Sequence, residues 1–203
     1  MKQCIDFYMV TISPWCHLSL KRLKLLRENY NIEINIKPID IFSIFKKYGT
    51  KGVKDRPIPV QKNRLNEIRR WSKYLKIDIN EKPKFHPVNP EMSSKVIIAS
   101  ILFDNDFEKT FSITQKICEA IWIKNLDVSD KETLNKICIH FDTHKKVINT
   151  YNDNEEVLEL YKKNTLEAEK NNVFGVPSFL YQNELYFGQD RMFMLEQSIK
   201  KTA

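Results

Sequence analysis

The hydrophobic pattern at both ends of the chain predicts β-strands. Residues 3–10 form a short run of β-branched and aromatic side chains that is typical of a buried strand. Residues 32–37 alternate strictly between isoleucine and polar residues, which is the period of two expected for a strand. Residues 178–181 and 185–187 predict two further strands, joined by a turn. We therefore expect two strands from each end of the chain to join one sheet.

Helical spacing dominates the segments between these strands. An apolar helical face after the first strand extends to about Tyr30 and comprises Leu18, Leu20, Leu23, Leu25 and Leu26. Residues 49–60 predict a loop, and the proline-rich stretch 83–90 separates two helices of the following block. After residue 191 the pattern predicts a final amphipathic helix with Met192, Phe193, Leu195 and Ile199 on its apolar face.

The order strand, helix, strand is the parallel crossover unit of an α/β sheet. Helical spacing then holds from residue 61 to about residue 166 before the strand pattern returns. We therefore predict an α/β fold with a discontinuous sheet domain, residues 1–60 and 167–203. An inserted all-helical domain, residues 61–166, lies between its two parts.

Composition and charge exclude several classes of protein. Apolar residues make up 42% of the 203 residues, enough for a packed core, and disorder of the whole chain is not expected. Lys and Arg number 33 against 26 Asp and Glu, a formal net charge of +7. The basic residues are scattered and no nucleic-acid signature accompanies them, so we expect a solvated basic surface and no nucleic acid, with a site for a small anionic ligand as the alternative. No apolar run approaches the roughly 18 residues that a membrane helix needs.

The cysteines and histidines predict neither a disulfide framework nor a metal site. Cys4, Cys16, Cys118 and Cys138 form no C-x-x-C pair and no zinc pattern, and no secretory signal precedes them. We therefore expect a reducing, cytoplasmic compartment. His140 and His144 have the spacing of metal ligands on a helix, but no third ligand is evident.

Residues 11–18, T-I-S-P-W-C-H-L, place a helix start directly after the first strand. Ser13 suits the N-cap and Pro14 the first helical position, where its missing N–H costs nothing. Unpaired N–H groups and the helix dipole favour an anion at this end of a helix. Ser13 cannot form a disulfide, so its hydroxyl either caps the helix or donates a hydrogen bond to a thiolate that comes from elsewhere.

Taken in order, the motifs of this chain resemble those of the 2-hydroxychromene-2-carboxylate isomerase family. These enzymes are relatives of the kappa-class glutathione transferases and of the Dsb-type thiol oxidoreductases, and the resemblance implies a thioredoxin-like fold. It spans nearly the whole chain, and the matching motifs are S-P-W-C at 13–16, R-R-W-S at 69–72, K-F-H-P-V-N-P at 84–90, V-F-G-V-P-S-F at 173–179 and G-Q-D-R at 188–191.

The resemblance implies glutathione as the cofactor. Its thiolate would lie beside Ser13, which becomes the catalytic residue, with Pro14 and Trp15 at the same site. The bond between Val176 and Pro177 is expected to be cis, which leaves the Val176 backbone to pair with the cysteinyl part of glutathione like an added strand.

Polar groups at the start of the last helix would hold the other end of glutathione. The resemblance assigns Gln189 and Asp190 to the γ-glutamyl group, with Asp190 binding its ammonium; capping of the helix by Asp190 is the alternative. Trp15 either lines the site or packs in the core.

Cations are expected for the carboxylates of glutathione and of the substrate. Lys62 is the nearest match to the lysine that binds the glycine carboxylate in the kappa relatives, and Arg64 is the alternative. Arg64 and Asn89, together with Trp15, are candidate substrate residues, although Asn89 equally fits a loop-holding hydrogen bond. This loop carries Val60 and Asn63 where the isomerases tend to have basic and aromatic residues, so the substrate is less well defined than the glutathione site.

The resemblance implies a glutathione-dependent cis–trans isomerase that acts on a small electrophilic carboxylate and forms a homodimer. Glutathione transfer at the same site is one alternative. Thiol–disulfide exchange through Cys16, which stands at the place of the second cysteine of a redox pair, is another; Cys16 otherwise fills space in the core. A binding module without catalysis is the remaining alternative.

Overall fold

The computed structural model describes residues 3–202, so Met1, Lys2 and Ala203 of the predicted sheet domain lie outside the described residues. The strands are β1 (Cys4–Met9), β2 (Glu33–Pro38), β3 (Ser178–Tyr181) and β4 (Glu184–Phe187). The helices are α1 (Pro14–Tyr30), α2 (Ile41–Tyr48), α3 (Ile58–Leu75), α4 (Glu91–Phe103), α5 (Phe107–Trp122), α6 (Lys131–His140), α7 (Lys145–Thr150), α8 (Glu155–Lys170) and α9 (Met192–Thr202). Short 3-10 turns span Val53–Asp55 and Gln189–Arg191.

The four strands form one sheet, as the hydrophobic pattern predicts, and their order is β2-β1-β3-β4. β1 and β2 are parallel, whereas β3 is antiparallel to both β1 and β4. Phe7 and Phe179 are partners across β1 and β3, and their rings stack with centroids 5.3 Å apart. Both rings are fully buried, so this pair fastens the two ends of the chain together in the core.

Helix α1 begins where the sequence predicts, with Ser13 as the N-cap and Pro14 in the first turn. Its buried face contains Leu18, Leu20, Leu23 and Leu26. Leu25 is 45% exposed, so its assignment to that face was wrong. Because successive residues are about 100° apart around a helix, Leu25 points well away from Leu26.

One boundary and one helix differ from the sequence prediction. α3 begins at Ile58, within the predicted loop 49–60, because a proline such as Pro59 is tolerated in the first turn of a helix. α2, directly after β2, was not predicted. In α9, Met192, Leu195 and Ile199 are buried as expected, whereas Phe193 is 46% exposed and does not belong to the apolar face.

The helical block packs on the sheet and holds the turn that follows β1. The fully buried Trp122 of α5 donates a hydrogen bond from Nε1 to the carbonyl oxygen of Thr11, 3.2 Å away. The Thr11 hydroxyl lies 2.7 Å from the hydroxyl of Ser93 in α4. The turn that precedes Ser13 is therefore bound from two helices as well as from the sheet. Across residues 3–202, no helix has the length and apolar character needed to cross a membrane.

Candidate active site

Ser13 lies at the meeting point of the turn after β1 and the N-terminus of α1. Its backbone N–H donates to the carbonyl of Val10 (3.2 Å), which closes the turn. Its Oγ accepts a hydrogen bond from the backbone N–H of Cys16 (3.3 Å) and donates to the carbonyl oxygen of Val176 (3.5 Å). The hydroxyl therefore caps the helix and also faces the segment before β3, so both roles considered for Ser13 are compatible with its position.

The segment before β3 offers backbone groups to a peptide-like ligand. The bond between Val176 and Pro177 is cis, as the resemblance implies. The Pro177 carbonyl accepts from the N–H of Gly188 (2.9 Å), but within residues 3–202 no hydrogen bond takes up the N–H of Val176. A donor left unpaired next to Ser13 can bind the backbone of an extended ligand.

The turn after β4 brings Gln189 and Asp190 to the same edge of the sheet. Gly188 has φ of +95°, and a Cβ there would lie 2.4 Å from Oδ1 of Asp190, so this turn requires glycine. Gln189 is 2% exposed, so its side chain is buried in this turn. Asp190 is partly exposed and accepts from Nη1 of Arg191 (2.7 Å), so its carboxylate is accessible but already has one cationic neighbour.

Cys16 is fully buried one turn into α1, and Trp15 beside it is partly exposed. Burial raises the pKa of the Cys16 thiol to about 12, against smaller lowering effects of hydrogen bonds from Val10 and Ser13. The thiol is therefore protonated near neutral pH, which favours the packing role for Cys16. His17 is also packed: its Nε2 lies 3.1 Å from the carbonyl of Asp78, and burial lowers its pKa.

The two predicted cations of α3 lie on different sides of the helix. Lys62 is exposed and lines an open groove of about 670 Å³ together with Leu65, Asn66 and Arg69. Arg64 is half-buried and lies one turn before Ile68, which is fully buried. Helix geometry thus brings Arg64, and not Lys62, to the interior side of α3.

His86, which the sequence did not single out, directly borders the turn between β1 and α1, residues 10–13, which we call the Ser13 turn. Its Nε2 lies 3.2 Å from the carbonyl oxygen of Ile12, and its ring packs on Trp122 with centroids 4.9 Å apart. Burial lowers the pKa of His86 to about 4, helped by the positive charges of Arg64 and Lys54. The K-F-H-P-V-N-P motif contained this residue, but nothing in the motif singles out its histidine.

Asn89 holds its own loop, one of the two roles predicted for it. Its Oδ1 accepts from the backbone N–H of Glu91 (3.0 Å) at the start of α4. It also lines a cavity of about 910 Å³ whose wall includes Phe42, Pro87 and Tyr161. A substrate contact by Asn89 would therefore come from this cavity.

The described residues contain no group of three or more His, Cys, Asp or Glu side chains that could hold a metal ion. His144, one of the two histidines with metal-ligand spacing, uses Nδ1 to accept the backbone N–H of Lys146 (3.2 Å) and so caps α7.

Known proteins resemble this chain in sequence and in fold. The sequence matches the model of the DSBA-like thioredoxin domain family over residues 4–200. It is 24% identical over 197 residues to a 2-hydroxychromene-2-carboxylate isomerase of Pseudomonas sp. (strain C18), covering 96% of this chain and 89% of that protein. A protein of the same name from Sphingobium xenophagum is 24% identical over 198 residues, with 97% of each chain covered.

A solved structure of 2-hydroxychromene-2-carboxylate isomerase superposes with a TM-score of 0.80 at 20% identity, covering 98% of this chain and 95% of that chain. The thioredoxin-like fold with inserted helices and the family resemblance expected from the sequence are therefore confirmed.

Proposed function

The chain belongs to the family of DSBA-like thioredoxin domains, and from that premise we propose that it is a glutathione-dependent isomerase of the 2-hydroxychromene-2-carboxylate type. The observation that carries this proposal is the position of the Ser13 hydroxyl opposite the Val176 backbone at the N-terminus of α1. A redox enzyme of this fold needs a reactive thiolate at that N-terminus, and here a serine stands in its place.

The described residues fit glutathione in three places. The unpaired N–H of Val176 suits the cysteinyl backbone, and the carboxylate of Asp190 suits the γ-glutamyl ammonium. The Ser13 hydroxyl and the N-terminus of α1 suit a thiolate. We propose that Pro14, Trp15 and the buried Gln189 border these groups.

When bound, glutathione supplies a thiolate that adds reversibly to an electron-poor C=C bond, so that rotation about the resulting single bond and elimination yield the other isomer and return the thiolate. Ser13 lowers the free energy of the thiolate by donating its O–H, and the first turn of α1 contributes its dipole. The Ser13 turn is held by Thr11 and Ile12 carbonyl contacts, which fix the hydroxyl relative to Val176.

We propose Trp15, Arg64 and Asn89 as the residues that contact the electrophilic carboxylate, and Lys62 or Arg64 as the cation for the glycine carboxylate of glutathione. The interior position of Arg64 supports its role near Ser13. The exposed groove around Lys62 includes neither Ser13 nor Val176, so Lys62 is the weaker candidate of the two. The cavity that Asn89 lines also includes neither, so Asn89 is the weakest of the proposed substrate contacts.

The redox alternative through Cys16 is less well supported. A nucleophilic cysteine has to be accessible and ionised, whereas Cys16 is fully buried and its pKa is raised to about 12. Glutathione transfer would use the same residues as isomerisation, and the products of the reaction distinguish the two. The homodimer remains a proposal, which sedimentation velocity tests.

Calorimetric titration with glutathione tests the proposal, combined with the ultraviolet absorbance of the bound thiolate and an isomerisation assay on 2-hydroxychromene-2-carboxylate. We expect the wild type to bind glutathione and to show a thiolate signal that Ser13→Ala removes. Ser19→Ala is the matched control, because Ser19 lies on the same helix and bonds the Cys16 carbonyl (2.8 Å) instead of facing Val176. Absence of glutathione binding by the wild type overturns the proposal. A thiolate signal that persists in Ser13→Ala overturns only the role of Ser13.

A further inference from the structure

His86 presents a hydrogen-bond acceptor beside the Ser13 turn. The Ile12 carbonyl can only accept, so the 3.2 Å contact requires Nε2 of His86 to carry the hydrogen. In the neutral ring Nδ1 then has a free lone pair. The packing of the ring on Trp122 fixes its orientation.

The imidazole is neutral at physiological pH. Burial, the charge of Arg64 and the charge of Lys54 each lower the pKa of His86, to about 4 in all, against the raising effect of the Ile12 carbonyl. Nδ1 is consequently an uncharged acceptor in positively charged surroundings.

Arg64 is a half-buried cation without an anionic partner. Within residues 3–202, no hydrogen bond or ion pair engages its guanidinium. Burial and the neighbouring charge of Arg56 both lower its pKa. Two other arginines of α3 are compensated: Arg69 binds Glu81 through two hydrogen bonds of 2.6 Å, and Arg70 pairs with Glu67. Partial burial of an uncompensated charge costs free energy, which an anionic ligand would recover.

We propose that Arg64 and His86 form one subsite for a carboxylate whose neighbouring carbon bears an O–H or N–H donor. The guanidinium of Arg64 donates to the carboxylate, and Nδ1 of His86 accepts from the donor. His86 is then a specificity-determining residue, because a ligand without the donor leaves its acceptor unpaired. This inference rests on the proposed function, which it deepens.

Two molecules at the proposed site have this chemistry. The glycine end of glutathione has an amide N–H on the carbon that bears the carboxylate, and a 2-hydroxy carboxylate substrate has an O–H there. The strand order β2-β1-β3-β4 places Asp190, after β4, on one side of Ser13. Arg64 belongs to α3, which packs against α1, and His86 lies 3.2 Å from the carbonyl oxygen of Ile12, directly before Ser13. The subsite therefore borders Ser13 on the Ile12 side, where either the glycine end or the substrate carboxylate reaches it.

Calorimetry with two pairs of probes tests the subsite and shows whether it binds the substrate carboxylate or the glycine end of glutathione. Mandelate and phenylacetate differ only in the 2-hydroxyl, and glutathione and γ-glutamylcysteine differ only in the glycine. His86→Gln retains an N–H donor for the Ile12 carbonyl but lacks Nδ1, whereas Arg64→Gln removes the cation. Arg70→Gln is the control, with the same charge change on the same helix. Circular dichroism melts establish that each variant is folded.

We expect one of two results. Either His86→Gln abolishes a preference for mandelate over phenylacetate, or it weakens the affinity for glutathione roughly tenfold and leaves the affinity for γ-glutamylcysteine unchanged. The first result assigns the subsite to the substrate and the second to the glycine end. Arg64→Gln should weaken the affinity for the same probe at least as much, and Arg70→Gln should leave that affinity unchanged.

Equal affinities of wild type, His86→Gln and Arg64→Gln for all four probes overturn the inference, as does a wild type that binds none of them. Should His86→Gln fail to fold, the Arg64→Gln arm decides alone. A wild type that prefers mandelate but does not bind glutathione supports the subsite and overturns the proposed function, so the two failures are distinguishable.

Discussion

The Oγ of Ser13 lies 3.5 Å from the carbonyl oxygen of Val176, although the two residues are 163 positions apart in the chain. The pairing of Tyr8 with Ser178 across β1 and β3 accounts for this proximity. It brings the end of β1 and the start of β3 to the same edge of the sheet, so the segments carrying Ser13 and Val176 must meet there. The candidate site is therefore built from the register of the sheet, and single substitutions at Ser13 change its chemistry without rebuilding it.

Ser13→Cys should convert the site to thiol–disulfide chemistry. The introduced thiol would occupy the helix N-terminus and complete a C-P-W-C motif with Cys16, so its pKa should fall below the ordinary value of about 8.5. The pH dependence of alkylation measures that pKa. Incubation with oxidised glutathione should yield an intramolecular disulfide and two molecules of glutathione, detected as the loss of both thiols.

The same substitution in a Cys16→Ala background is the control, since it should keep the low pKa but lose the intramolecular disulfide. An alkylation midpoint near the ordinary value of a cysteine would contradict the claim that this N-terminus stabilises a thiolate.

Cys16→Ala in the otherwise unchanged chain should leave isomerisation nearly intact. The Cys16 thiol is fully buried and protonated, so its removal affects packing and not the proposed chemistry. We expect the free energy of unfolding to fall by about 1 kcal/mol, a typical value for a core truncation of this size. Urea denaturation and the isomerisation assay measure the two effects. Loss of isomerisation with unchanged stability would instead mean that Cys16 takes part in the isomerisation itself.

Local sequence predicts those parts of the site that depend on a recognisable pattern of neighbouring residues. Ser13 and Pro14 form an N-cap pattern, and the two strands at each end have the period expected of a sheet. The sequence pattern does not show on which side of α3 a cation lies. Because Leu65 and Ile68 are both apolar, the pattern alone does not show whether Lys62 or Arg64 faces the interior. The full burial of Ile68 shows that it is Arg64, although the resemblance had favoured Lys62.

His86 was missed for a different reason. Its importance comes from a contact with Ile12, 74 positions away, and from the charges of Arg64 and Lys54, which it meets only in the folded chain. Neither the spacing of hydrophobic residues nor the motif 84–90 reports such a contact. The exposed Phe193 is the reverse case, an apolar residue whose position in the pattern suggested burial that the packing of α9 does not provide.

Trp122→Phe should loosen the Ser13 turn from a distance. The substitution leaves the Thr11 carbonyl without its 3.2 Å donor, and an unsatisfied buried acceptor costs about 1–3 kcal/mol. We expect lower stability in urea denaturation and weaker glutathione binding in calorimetry. Trp71→Phe, at a half-buried position of α3, is the control and should cost less. Unchanged stability of Trp122→Phe would mean that this hydrogen bond does not hold the turn.

Asp190→Asn should weaken glutathione binding without affecting the thiolate signal of the complex. The substitution removes the charge proposed to bind the γ-glutamyl ammonium, and loss of a charged hydrogen bond typically reduces affinity roughly tenfold. Arg191→Gln removes the guanidinium that lies 2.7 Å from Asp190 and should leave affinity unchanged or increase it. Titration of both variants with glutathione checks this pair. Equal weakening by the two substitutions would indicate a general effect on the turn instead of a contact with the ammonium.

Stability should fall at acidic pH, in part because of His86. The pKa of His86 is lowered from 6.5 to about 4 in the folded chain, so the unfolded chain takes up the proton first as the pH falls. The stabilising contribution is complete above pH 6.5 and is lost between pH 6.5 and about 4. Solvent screening at this partly exposed ring limits the loss to about 2 kcal/mol.

Urea denaturation at pH 7 and at pH 4.5 measures the loss of stability. Subtracting the loss of His86→Gln from that of the wild type removes the contributions of the carboxylates and of the buried His17, which both proteins share. The groups that act on the ring are the Arg64 and Lys54 charges, the Ile12 carbonyl and the Trp122 ring, all retained in the variant. We expect the wild type to lose more stability than His86→Gln over this interval, and His140→Gln, at an exposed position, to follow the wild type. Parallel losses in the wild type and His86→Gln would mean that His86 is not held neutral by its surroundings, and Nδ1 would then not be available as an acceptor.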